Sequence, residues 1–215
     1  MSKKLQQAVA HINESGVLLV YPINNRKDPA SIWSKFYPRS EMKWEWDSDG
    51  DNRVASLWYL RTELSLCREV VYSKWFQGRA TFFSKKVFTA LLRLRAMEPT
   101  LSRQAEEILQ LLTEDSPLST KEIKVATDLR GRSLESAYTK AMKELWMHML
   151  IVGYGEKDDG AFPSLAVGAT KTLFEDLWSD AESMDEEKAR SIVTTTFTRS
   201  PALARYLNKS SLVRI

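Results

Sequence analysis

Residues 72–86 (YSKWFQGRATFFSKK) set Tyr72, Trp75, Phe76, Phe82 and Phe83 among Lys74, Arg79, Lys85 and Lys86. Rings that stack on bases, interleaved with cations for phosphates, are what a nucleic-acid groove requires. The same letters also describe an amphipathic element with its rings in the core and its cations in water. Spacing divides the stretch between these readings. Tyr72 and Phe76, four apart, continue the apolar stripe of a helix expected before them. Phe82 and Phe83 are consecutive in an extended run, so they point to opposite faces and only one is expected in a core. Lys74, Arg79 and Trp75 remain as exposed candidates for contact with DNA.

A second group lies farther along. Arg130, Arg132, Ser133, Ser136, Lys140 and Lys143 surround the start of a helix expected from residue 134, with Ser133 as its cap. Positions 132, 136, 140 and 143 share one face, opposite Tyr138 and Leu145. A helix that enters a major groove presents its N-terminal residues to base edges in this way. The hairpin expected after it carries Glu156, Lys157, Asp158 and Asp159. That acidic tip makes a poor phosphate contact and suits a basic protein partner instead.

Chemistry of other kinds has little to stand on. His11 and His148 are far apart, and Glu106/Glu107 and Asp158/Asp159 are adjacent pairs whose spacing does not aim them at one site. There is no G-x-S-x-G, Walker loop, H-E-x-x-H or glycine-rich dinucleotide fingerprint. Asp47, Asp49 and Asp51 alternate as in a calcium loop, but Asn52 and Trp58 stand where an EF-hand needs glycine and a bidentate glutamate. No metal or cofactor is expected. The single cysteine, Cys67, excludes an internal disulfide framework. No apolar run is long enough to cross a bilayer, and the polar N-terminus lacks a secretory h-region, so a cytoplasmic protein is expected.

Charge is unevenly spread along the 215 residues, whose net charge is +3. Residues 52–100 carry nine Lys/Arg against three Asp/Glu, whereas residues 151–190 carry four against ten. This asymmetry favours an oriented polyanion partner over uniform stickiness. The alternative is that these are solvated faces.

The elements that must position these groups follow from periodicity and caps. Residues 3–14 read as a helix ended by Gly16, residues 17–21 as a strand, and residues 53–70 as a helix with Cys67 on its apolar stripe. Ser84 caps a helix ended before Pro99, and Ser102 caps another. Ser119-Thr120-Lys121-Glu122 is a capping box opening a short helix. The helix from residue 134 follows, and then a hairpin over 150–167. Helix, helix, tight turn, helix, hairpin is the winged-helix order. Residues 180–187 read as an acidic linker or helix start, and Ser200-Pro201 as the start of a last helix. The fold expected is mainly α with short β-hairpins (α+β), with winged-helix units over 1–100 and 101–178 and a C-terminal helical tail over 179–215.

Residues 58–64 (WYLRTEL) and 71–84 (VYSKWFQGRATFFS), followed by a winged-helix pattern, resemble winged-helix proteins related to the AlkZ/YcaQ-type DNA glycosylases. The resemblance implies tandem winged helices and DNA binding. Those glycosylases unhook crosslinked or alkylated bases with a glutamine–aliphatic–glutamine motif. Here Gln6, Gln7, Gln77, Gln104 and Gln110 include no pair spaced Q-x-Q. The expectation is therefore a non-catalytic double-stranded DNA-binding relative. The alternatives are a glycosylase using other residues, or a protein-interaction module or transcriptional regulator docking through its acidic wing and linker.

Overall fold

Short apolar, β-prone runs become strands here, and serine-capped amphipathic runs become helices around them. The computed structural model describes residues 1–43, 52–95, 99–160 and 163–210. The first half runs α1 (Lys3–Ser15), β1 (Val17–Leu19), α2 (Ile32–Phe36), α3 (Asn52–Leu66), β2 (Val70–Ser73), β3 (Thr81–Ser84) and α4 (Lys85–Leu94). The second runs α5 (Arg103–Glu114), β4 (Leu118–Ser119), α6 (Thr120–Ala126), α7 (Glu135–Met147), β5 (Ile151–Lys157) and β6 (Ser164–Ala169). Four helices close the described chain: α8 (Thr170–Leu173), α9 (Glu175–Ser183), α10 (Glu186–Phe197) and α11 (Pro201–Lys209). The aspartates at 47, 49 and 51 lie outside the described residues.

Each half thus repeats helix, strand, helix, helix, strand, strand, and then a helix. The six strands form one antiparallel sheet ordered β1-β3-β2-β5-β6-β4, a palindrome in which each half contributes three strands. The seam is the β2–β5 pair, where Tyr72 stands opposite Gly153. A Cβ on Gly153 would come within 2.1 Å of the Tyr72 ring, so only glycine lets the two halves approach this closely. No break in the sheet accompanies the step from one half to the other.

Both faces of the sheet are buried. Leu18, Val70, Tyr72, Phe82 and Ile151 pack under α1, α3, α5 and α7. The alternate residues Val17, Leu19, Val71, Phe83 and Val152 pack under α4, α9, α10 and α11. Phe82 and Phe83 are therefore both fully buried, and the expectation of one core ring was too low. Period-two alternation places them on opposite faces, but helices cover each face. The helix expected over 53–70 also ends early, at Leu66, because the β-branched pair Val70-Val71 joins the ladder with β3. Tyr72 consequently belongs to a strand and not to a helical stripe.

Local chemistry accounts for the helix starts. Ser84 accepts from the Val87 N–H, and the Ser119–Glu122 capping box is fully formed. Ser200 caps α11 with Pro201 at its first position. Ser102 precedes α5 without a side-chain cap bond, its own N–H donating instead to Glu144 Oε2 at 2.9 Å. Residues read as an acidic linker are mostly helical: α9 runs to Ser183, and Asp185 caps α10. The last helix is tied back to the first half, since Asp28 accepts from the Ser200 hydroxyl and from the Ala202 N–H.

Candidate nucleic-acid interface

Two segments bring Lys74 and Lys143, of the cations singled out above, to one groove. The first is the connection between β2 and β3. It reverses at Gln77 and Gly78, both at positive φ (53° and 70°), and the Arg79 N–H donates to the Phe76 carbonyl at 2.9 Å. The second is α7 with the turn before it. Gly131, at φ 92°, starts that turn, and the Leu134 N–H closes it on the Gly131 carbonyl at 3.1 Å. The closure takes Ser133 into the turn, so Leu134 holds the cap position and Ser133 does not cap α7.

Between these segments lies a groove of about 570 Å³, within the range of ligand-binding clefts. Lys74 and Trp75 enter it from the connection, and Tyr138, Met142, Lys143 and Trp146 from one face of α7. Tyr206 of α11 closes one side. Lys74, Trp75 and Lys143, chosen from stretches about seventy residues apart, thus share one site. Ser136, Lys140 and Lys143 follow at i, i+4, i+7 spacing and form an exposed stripe beside the groove. Arg130, Arg132 and Ser133 are exposed in the preceding turn, and Arg79 is exposed at the end of the connection. These residues, with Ser136 and Lys140, do not line the groove.

Trp75 departs from expectation. It is fully buried, its ring meeting Phe83, Phe197 and Tyr206 edge-on at centroid distances of 5.9, 5.9 and 4.9 Å. Two of those partners come from α10 and α11, which cover the face that local sequence left open. Trp75 therefore forms groove floor and offers no exposed face to a base. Lys74 is half-buried, and its burial, with the nearby Arg61 charge, holds the ammonium below the ordinary lysine range.

Electrostatics separates free cations from used ones. Arg130 sits 3.6 Å from Asp128, and Lys124 pairs with Glu135 at 2.7 Å. Lys157 is taken by Glu122 at 2.8 Å, and this ammonium with the Ser119 N–H keeps the Glu122 carboxyl below its usual range. Glu156 turns inward to pair with Arg61 of α3 and accepts from the Thr62 hydroxyl at 3.0 Å. The hairpin tip is thereby less acidic toward solvent than its letters indicate. No carboxylate among the described residues pairs with Lys74, Arg79, Arg132, Lys140 or Lys143.

Sequence reasoning missed Tyr138, Trp146 and Tyr206 as site residues. Helical spacing assigns Tyr138 to the core face of α7, where it is 7% exposed and still lines the groove. Trp146 and Tyr206 gave no signal, because their wall is made only when α7, α11 and the β2–β3 connection meet.

Among the described residues no cluster of three or more His, Cys, Asp or Glu could hold a metal ion. No described helix is long and apolar enough to cross a membrane. None of the curated proteins and none of the solved structures matches the chain significantly. The model of the family described as AlkZ related matches residues 2–209, nearly the whole length. The chain belongs to the AlkZ-related family.

Proposed function

We propose that this protein is a non-catalytic, duplex DNA-binding member of the family, built from two winged-helix units. The element order in each half, helix, strand, helix, helix and hairpin, supports the winged-helix reading, with α7 as the third helix of the second unit. The observation that carries DNA binding is the set of unpaired cations around one groove. Lys74 and Lys143 line it, and Arg79, Arg132 and Lys140 are exposed on the two segments that contribute to it. Surface cations left without carboxylates, at the start of an exposed helix, suit phosphates; Ser133 and Ser136 can add hydrogen bonds there. Lack of a Q-x-Q pair supports binding without base excision. A cytoplasmic setting and a DNA-repair context accompany this reading.

The stripe on α7 is tested by reversing two of its charges. Arg132→Glu with Lys140→Glu abolishes duplex binding near physiological salt, while circular dichroism stays that of the parent, because both side chains are exposed. Undiminished binding by the double variant would remove α7 from the interface.

A further inference from the structure

The groove beside α7 has features that phosphate binding to a regular duplex does not use. Its wall is largely aromatic, with Tyr138, Trp146 and Tyr206 above the buried floor of Trp75. Two buried polar atoms of its lining residues, Trp75 Nε1 and Tyr138 Oη, have no hydrogen-bond partner in the protein. Trp75 is fully buried and Tyr138 is 7% exposed, so neither atom is routinely solvated. Burial pushes the Tyr138 hydroxyl pKa upward, which keeps it a neutral donor. A buried donor without an acceptor is destabilising, and a ligand acceptor reaching Tyr138 Oη would relieve this. Lys74 and Lys143 add two unpaired ammonium groups to the same lining.

An aromatic wall, an unpaired donor and two cations together describe a planar heterocycle that has an acceptor on its edge and an anion attached. We infer that the groove holds one unstacked nucleotide of a DNA strand, its base against the aromatic wall and its phosphate at Lys74 and Lys143. The inference rests on the DNA-binding reading for the source of the nucleotide. Charge complementarity favours this occupant over an apolar peptide, which would leave both ammonium groups unpaired. An extruded base must first leave its stack, at a penalty that is least for a base already unpaired. The protein therefore prefers a duplex with one unpaired, bulged nucleotide over the fully paired duplex.

The experiment compares affinities of the full chain for these two duplexes by fluorescence anisotropy, with free deoxynucleoside monophosphate as competitor. The wild type should prefer the bulged duplex about tenfold, the unpaired base having no stack to leave. Thr139, exposed on the groove side of α7, gives a filling variant that spares the core. Thr139→Trp should weaken the bulged duplex more than the paired duplex and so remove the preference. Tyr138→Phe, which deletes one donor without changing shape, should reduce the preference about threefold, as loss of one modest hydrogen bond does. Equal affinity of the wild type for both duplexes overturns the inference while leaving duplex binding intact. A preference that survives in Thr139→Trp also overturns it. Competition by free nucleotide without a bulge preference reassigns the groove to a free ligand and overturns the strand as source. Failure to bind either duplex removes the DNA-binding reading itself.

Discussion

Replacing Arg61 with leucine tests whether the two halves are locked by the ion pair that crosses their seam. Arg61 of α3 is 8% exposed, and the side chains of Arg61 and Glu156 retain only 9% and 13% of their surfaces. The guanidinium also lies 3.9 Å from the centroid of the Trp58 ring. Next to the pair, the Gly155 N–H donates to Ser65 Oγ at 2.9 Å, so α3 and β5 are joined by several polar contacts. Removal of Arg61 strands the Glu156 carboxylate with the Thr62 hydroxyl as its remaining side-chain donor. Breaking a buried pair on one side destabilises by about 3–5 kcal/mol, whereas replacing both partners by apolar residues is often neutral. Arg61→Leu should therefore lower unfolding free energy by about 3 kcal/mol, and Arg61→Leu/Glu156→Leu should recover most of that loss. Urea denaturation followed by tryptophan fluorescence measures both, with the coupling taken from the double-mutant cycle. A single-variant loss below about 1 kcal/mol, the value of a surface pair, would refute the reasoning.

Two further predictions concern packing and pH. Gly153→Ala drives a methyl to within 2.1 Å of the Tyr72 ring at the β2–β5 seam, so thermal unfolding should shift by an amount equivalent to about 3 kcal/mol, the upper range for overpacking. A wild-type melting temperature in that variant would mean that the seam can open without penalty. Burial lowers the His148 pKa below its ordinary 6.5, Arg95 adding to the effect and Glu144 opposing it. The unfolded chain then binds the proton more readily, so stability is full above pH 6.5 and declines as pH falls through the folded value. His148→Gln should flatten that part of the stability–pH curve measured by denaturant titration, and an unchanged slope would exclude His148 as its source.

What could be read from the sequence was local. Ser84, the Ser119–Glu122 box and Ser200-Pro201 fix helix starts through bonds spanning three residues, so their letters suffice. The palindromic sheet was not legible in this way. Alternation separates Phe82 from Phe83, but the helices covering Phe83 come from residues 85–94 and 175–209. The burial of Trp75 is hidden for the same reason, since it rests on Phe197 and Tyr206 more than 120 residues away. Of the candidate site, the cations were found through charge and helical spacing. Their convergence, and the separation of paired Lys157 and Arg130 from unpaired Lys74 and Lys143, depend on tertiary contacts that no short pattern carries.

The central claim is that free cations around the α7 groove bind DNA phosphates. Affinity for a short duplex at two salt concentrations tests it most directly. Arg79, Arg132, Lys140, Lys143 and Lys74 supply at most five phosphate contacts, for a log–log salt slope of about −4.5. Raising salt from about 50 to about 200 mM should then weaken binding about five hundredfold. Absence of binding at the lower salt concentration, or an affinity insensitive to salt, would contradict the account.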